Sequence, residues 1–482
     1  MKITAPKKDI TQLNTQAAII FFDWENGLSL EGCEKTDSLL RAMIDRKEIK
    51  AEKIQLMYLP IAEGFSCERI MAIGLSFASV SPKGLRQALG KAIKQLNAGG
   101  VTEIAMDLSG FGTAAARSAV EGLLLGAYRF SSFKTETPPK PLKKLQVILG
   151  EGVSLGEVQR WATICEGTCL ARDLMLTPPN VLHPKALAKK AEDMAEAAHL
   201  EVTVLKPADL KKENMNALMA VAQGSDQEPR FIVMDYHPEG ASRTIAFVGK
   251  AVTFDSGGLS LKPADAMPEM KGDMGGGAVV FGLMSVLQAV GCPYRVVGIV
   301  PAVENMPSGK ATRPSDVVTT RAGITVEINN TDAEGRLILA DALDYAKQFK
   351  PDYVVDFATL TGACMIALGP KVCGVMGNDQ PLVDAIVSAS YELDEPFWQL
   401  PLEEDYEELL KSETADISNV ASVRWGGAIT AGLFLQRFAK DFRWAHCDIA
   451  ASILERPQAI HPKGGSGTGV RTLIDVLDRL PD

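Results

Sequence analysis

Histidine is scarce in this chain. Its 482 residues include only His183, His199, His237, His446 and His461, with no HExxH and no paired spacing, which argues against a zinc finger or a histidine-rich metal site. The eight cysteines form no framework and read as reduced thiols of a cytoplasmic protein. Cys165 and Cys169 stand at i and i+4 of an expected helix, but no second pair accompanies them, so a metal pair there is the weaker reading. No apolar run approaches the length of a membrane span, and the polar start MKITAPKKDITQLNTQ carries no signal pattern, so neither a membrane nor a secretory route is expected. Positive charge is also in deficit. With 50 Lys and Arg against 60 Asp and Glu, the net charge is −10, which argues against a sequence-independent grip on nucleic acid. The basic stretch Lys140–Lys144 lies in a proline-rich segment that reads as a linker. No repeat or low-complexity stretch is visible.

What is present is apolar residue in quantity. A hydrophobic content of 46% fills more than one core, and the length predicts two domains. In the N-terminal part, 16–22, 53–60, 69–76 and 102–108 read as strands, and 84–96 and 114–128 as helices, an α/β alternation. KTETPPKPLKK at 134–144 marks a connector. A strand at 145–149 and a helix at 155–174 follow, and the boundary is set at 150, giving domains 1–150 and 151–482. Alternation resumes with strands at 231–234, 245–248, 294–299, 325–328 and 353–357.

The most informative stretch is the octapeptide NTDAEGRL at 330–337. It places Asp332, Glu334 and Arg336 on alternate residues where a strand-like run gives way to a helical pattern. On extended backbone such residues share a face, whereas on a helix Asp332 and Glu334 diverge by roughly 200°. The triplet therefore serves one site only if it precedes the helix. The competing reading makes Asp332 a helix cap with the other two exposed. Upstream, GKAVTFDSGGLSLKP at 249–263 and MKGDMGGG at 270–277 set Lys250 and Asp255 at or just past a buried strand, where open α/β sheets place their sites. A lysine there demands a partner, and a salt bridge to Asp255 or Asp273 would supply one.

These blocks, with ARDLMLTPPN at 171–180, AVAQGS at 220–225, DFATLTGA at 356–363 and WAHCDIA at 444–450, resemble the leucyl aminopeptidase family (peptidase family M17), the cytosolic aminopeptidases with two metals per site. The likeness runs from about Glu121 to the end of the chain. It implies a smaller N-terminal α/β domain and a larger C-terminal catalytic α/β domain with a central mixed sheet flanked by helices. It also implies five metal ligands, Lys250, Asp255, Asp273, Asp332 and Glu334, with Asp255 and Glu334 shared by both ions. Zinc or manganese, or else cobalt, would be the metal. Four carboxylates would balance two divalent ions. A water between the ions would become acidic near neutral pH, and a neutral Lys250 amine would follow from the nearby charge.

The resemblance further implies that Lys262 stabilises the oxyanion and that Arg336 holds a bicarbonate acting as general base. Without it, Lys262 would be a surface lysine and Arg336 a partner of Asp341 or Asp344. Met270, Thr359, Gly362, Ala450 and Ile453 would line a pocket suited to Leu or Met. The activity implied is release of N-terminal apolar residues from short peptides by a homohexamer built as two trimers. The alternatives are a two-metal phosphoesterase, which usually adds histidine ligands, and a structural or DNA-binding role on the same scaffold. Ala251 and Ser315 stand where the family usually has glycine, Cys447 where it has an aliphatic residue, and GGSGTGVRTL departs from the family's ending; none of these removes a ligand.

Overall fold

Apolar and β-branched runs form the strands. In the computed structural model, which describes residues 1–28, 30, 33–50, 54–59, 64–136, 138 and 140–480, the chain divides into two compact units. One comprises 1–165 and 458–462, the other 166–457 and 463–482.

The first unit contains β1 (Lys2–Thr4), β2 (Ala17–Asp23), β3 (Gln55–Leu59), β4 (Ile70–Leu75), β5 (Glu103–Asp107) and β6 (Lys144–Ile148). They form one sheet in the order β1-β6-β5-β2-β4-β3, parallel except for β3. The side chains of β2 and β4 are buried throughout, as a parallel sheet covered on both faces requires. One face packs Ile19, Ile73 and Met106 with Leu89, Ile93 and Leu123 of the helices Pro82–Ala98 and Thr113–Ala127. The other packs Ile20, Phe22 and Ala72 with Leu40, on a helix Glu34–Asp45 that was not expected from the sequence. Lys53 and Pro60, the ends of the expected strand 53–60, lie outside the described residues, as do Thr137 and Pro139 of the connector. The rest of that connector carries no helix or strand until β6.

The second unit contains β7 (Glu201–Leu205), β8 (Arg230–Tyr236), β9 (Thr244–Gly249), β10 (Ala251–Asp255), β11 (Arg295–Asn305), β12 (Asp316–Thr319), β13 (Thr325–Ile328), β14 (Tyr353–Ala358), β15 (Cys373–Gly377), β16 (Phe397–Gln399), β17 (Ile417–Ser418) and β18 (Arg443–Asp448). Its main sheet runs β16-β15-β18-β14-β9-β11-β8-β7, with β10 also on β11. β18, β14, β9 and β11 are parallel, while β15, β8 and β7 join antiparallel, so the sheet is mixed. β12, β13 and β17 form a small separate sheet. Val248, Ile299 and Val354 pack with Leu339 and Leu343 of the helix Gly335–Ala346 and with Phe434 and Phe438 of the helix Gly427–Ala439.

β9 and β10 lie in succession along the one long strand β11. β9 pairs with Arg295–Ile299, and β10, with a register shift, pairs with Ala302–Asn305. Lys250 sits at the break. This corrects the expectation that a single strand carries the chain to the site, because Asp255 ends a second strand of its own. The break leaves both residues at the carboxyl edge of the parallel strands, where such sheets bind ligands. Among the described residues no helix is long and apolar enough to cross a membrane.

Candidate metal centre

Lys250 projects into the site because its backbone is anchored on both sides. Its N–H donates to Phe357 O (2.9 Å) and its carbonyl accepts from Gly277 N (2.7 Å). Its ammonium then lies 2.8 Å from Asp273 Oδ1 and 2.8 Å from Glu334 Oε1, and donates to Thr359 O at 3.0 Å. Gly335 makes room for it: a Cβ there would come within 2.8 Å of Lys250 Nζ and 2.7 Å of its Cδ. The side chains of Lys250, Asp273 and Glu334 are 4%, 7% and 3% exposed, so these charges interact with little screening.

Asp255 faces the same space. Its Oδ1 accepts from Gly257 N and from Asn305 Nδ2, both at 2.8 Å, and its Oδ2 lies 2.8 Å from Lys262 Nζ. Gly257 (φ +86°) and Gly258 (φ +64°) both turn in the left-handed region, which glycine enters without penalty. The turn brings Lys262 back to Asp255 and to Asp332, whose Oδ1 is 2.5 Å away. Lys262 is therefore not a free surface lysine. Asp273 follows the 3₁₀ turn Met267–Gly272 and accepts from Thr359 Oγ1 at 2.7 Å.

The octapeptide departs in detail from its extended reading. Asp332 and Glu334 do lie ahead of the helix Gly335–Ala346, but Glu334, in right-handed backbone (φ −76°, ψ −33°), occupies the cap position, and Arg336 is already helical. The competing reading of Asp332 as cap fails too. Arg336 is buried and donates from Nη1 to Asn419 O at 2.8 Å, while its Nε has no hydrogen-bond partner. Neither Asp341 nor Asp344 is its partner. Asp341 accepts from Leu218 N and Arg321 N, and Asp344 pairs with Arg321 and Lys347.

Two asparagines that sequence reasoning missed hold these loops. Asn305 Nδ2 bridges Asp255 and Thr331 O, and Asn419 Nδ2 donates to Asn330 O (2.7 Å) while its Oδ1 accepts from Asn329 N. An asparagine closing a largely apolar run, RVVGIVPAVEN, is the one local hint of the first. Nothing in the neighbourhood of Asn419 signals the second.

The charges do not balance. Burial opposes the Lys250 ammonium, yet Asp273, Glu334 and Asp255 outweigh it and hold its pKa well above the ordinary lysine value. Lys262 is held up in the same way by Asp255 and Asp332. Burial, then repulsion from Glu334, pushes Asp255 up to about 6 in spite of both lysines. Asp273 is driven well above its usual value, again chiefly by burial. Burial also opposes the Glu334 anion, but Lys250 keeps it below the ordinary range. Burial lowers Arg336 to about 10, against Glu334 and Asp448. Four carboxylates thus face two lysines.

That imbalance tests the fit of a cation. Asp273 Oδ2 is buried without a hydrogen bond, and Glu334 Oε1 and Asp332 Oδ1 meet a lysine charge without one. Buried oxygens left in this state are costly. Carboxylate oxygens of Asp255, Asp273 and Glu334 fall within 4.8 Å of one another. Hard oxygen donors with unmet negative charge, beside one amine, suit divalent cations of the manganese or zinc kind. Asp332, the most exposed of the four carboxylates, lies outside that tight trio but joins it through Lys262.

The cluster opens into a cavity of about 520 Å³ whose lining includes Met270, Thr359, Gly362, Ala450 and Ile453, together with Met365. The five residues expected to form a side-chain pocket are therefore brought to one cavity. Cys165 and Cys169 lie in the helix Leu155–Leu176 and take no part in a metal-ligating cluster among the described residues; burial pushes the Cys169 thiol up to about 11. At Ala251 the backbone avoids positive φ, so alanine is unstrained there, whereas Ser315 adopts φ +76°.

Carboxylates and lysines gathered at the carboxyl edge of a mixed α/β sheet are surroundings suited to a metal-dependent hydrolase. The chain belongs to the cytosol aminopeptidase family. The family's catalytic domain matches residues 169–474 and its N-terminal domain residues 21–137. A probable cytosol aminopeptidase of Geobacter sulfurreducens is 40% identical over 99% of both chains. Among solved structures, the bottromycin maturation enzyme BotP in complex with Mn superposes with a TM-score of 0.86 at 35% identity, covering 97% of this chain and 99% of that one. A tomato leucine aminopeptidase variant superposes with a TM-score of 0.87 at 29% identity, covering 99% and 96%.

Proposed function

We propose that the protein removes N-terminal residues, preferably Leu and Met, from short peptides, using two divalent ions held by Lys250, Asp255, Asp273, Asp332 and Glu334. The observation that carries this is the surplus of buried carboxylate around Lys250, which opens directly into a cavity also lined by Met270, Met365, Ala450 and Ile453. The manganese complex of BotP supports manganese as one acceptable ion, with zinc and cobalt as the others. Once bound, the ions would supply an acidified water and polarise the scissile carbonyl.

The remaining work falls to the chain. Lys262, whose ammonium meets Asp255 and Asp332 at the cavity wall, offers its charge to the developing oxyanion. Arg336, whose Nε has no hydrogen-bond partner, would hold a planar anion, bicarbonate, which would supply the general base. Met270, Thr359, Gly362, Ala450 and Ile453 receive the N-terminal side chain, and methionine adapts to its shape. The likeness to a tomato leucine aminopeptidase supports the leucyl preference. Residues 1–150 would form the N-terminal domain and 151–482 the catalytic one, a division supported by family matches that leave 138–168 between them. We place the enzyme in the cytoplasm as a homohexamer of two trimers, whose enclosed sites would admit only small peptides.

Hydrolysis of leucyl and methionyl amides should stop on chelation and return with manganese or zinc, and Asp255→Ala should abolish it. Leucyl-amide hydrolysis that survives both treatments would overturn the reading.

A further inference from the structure

The cavity is apolar along one wall but not throughout. Beyond Met270 and Ile453 its lining also includes Glu269 and Glu455. Glu455 lies in the bend just after the two-residue strand Ile453–Leu454; Ile453 and Glu455 both line the cavity, while Leu454 between them is buried. Among the described residues Glu455 has neither an ion pair nor a hydrogen bond. Glu269 has one ion pair, to Lys463 at 3.8 Å, with both side chains well exposed, a contact of little strength. The two lysines that line the cavity, Lys250 and Lys262, are committed to the carboxylate cluster. The cavity therefore combines apolar lining residues with two further carboxylates, Glu455 unpaired and Glu269 weakly paired.

That is the complement of a long basic side chain, whose methylene stem packs on apolar surface while its cation stays at the rim. Resting on the aminopeptidase reading, we infer that Glu455, assisted by Glu269, is a specificity-determining residue that extends the substrate range to peptides with N-terminal Arg or Lys. The stem lies along Met270 and Ile453, and the guanidinium or ammonium meets Glu455. Neutral Leu and Met use the same wall and leave the glutamates hydrated.

The test compares kcat/KM for arginyl, lysyl and leucyl p-nitroanilides with the metal-loaded full chain, its Glu455→Gln variant and its Glu455→Lys variant. Glu455 is exposed, so both variants should fold. The arginyl-to-leucyl ratio is expected to fall about 3- to 5-fold in Glu455→Gln, the range of an exposed ion pair. It should fall about 10-fold or more in Glu455→Lys, where attraction becomes repulsion, and raised ionic strength should shrink it in the native enzyme. A ratio unchanged in both variants, or a native enzyme that cleaves leucyl but neither basic substrate, would overturn this inference and leave the aminopeptidase reading intact. Failure to cleave any of the three would instead count against that reading.

Discussion

Replacing Lys250 by Met would remove the one cation at the centre of the buried cluster while nearly preserving its stem. That ammonium makes two contacts of 2.8 Å, to Asp273 and Glu334, and a hydrogen bond of 3.0 Å to Thr359 O. Taking one partner from a buried pair costs about 3–5 kcal/mol, because the remaining charge has no compensation. For a catalytic unit of roughly 300 residues, an unfolding entropy of about 2.1 cal/mol/K per residue converts this into a fall in Tm of roughly 5–8 °C. The loss should also depend on pH. Without Lys250 the folded carboxylates bind protons more readily than the unfolded ones, so the variant loses stability as pH rises through the acid range, and its gap from the native protein widens from pH 5 to pH 8. Scanning calorimetry in EDTA at both pH values measures the two effects together. A fall below about 1 kcal/mol, or a gap that narrows with rising pH, would show that Lys250 does not hold the carboxylates together.

Two smaller perturbations probe the scaffold. Ser315 is exposed and adopts φ +76°, which costs an L residue roughly 1–2 kcal/mol. Set against glycine's extra entropy loss of about 0.5–1 kcal/mol, Ser315→Gly should stabilise by up to about 1.5 kcal/mol in urea unfolding, and a destabilised variant would contradict the backbone reading. Burial pushes the Asp341 carboxyl up to about 7, although Arg321 N and Leu218 N favour its anion. Its folded pKa lies above the unfolded value, so the folded protein holds the proton longer and stability falls as pH rises from about 4 to about 7, by on the order of 4 kcal/mol. Asp341→Asn should remove that slope, making the native-to-variant difference larger at pH 5 than at pH 7.5; equal differences would refute it.

The parts of this site that could be read from the sequence are those in which chemistry is written locally. Asp332 and Glu334 stand in the turn before the helix Gly335–Ala346 because an acidic pair two apart cannot share a face within it. Lys250 at the end of an apolar strand announced its need for partners. What could not be read depends on distant pairing. The break that makes β9 and β10 two strands exists only because both align along β11. Asn305 and Asn419 matter through hydrogen bonds to residues 50 and 89 positions away, which no local period encodes. Arg336 alternates with Glu334 in sequence but reaches its place from within a helix, so the right residues were grouped by a geometry that holds only for the first two. In the first unit the helix Glu34–Asp45 was missed although Leu40, Met43 and Ile44, spaced for one helical face, pack on the core.

The central claim, that Lys250, Asp255, Asp273, Asp332 and Glu334 form one two-ion centre for aminopeptidase chemistry, is tested most directly by counting bound metal in the purified full chain and its Glu334→Ala variant while assaying leucyl-amide hydrolysis. We expect two ions per native chain, at most one in the variant, and activity lost with the missing ion. Two ions retained by an inactive or active Glu334→Ala protein would contradict the assignment.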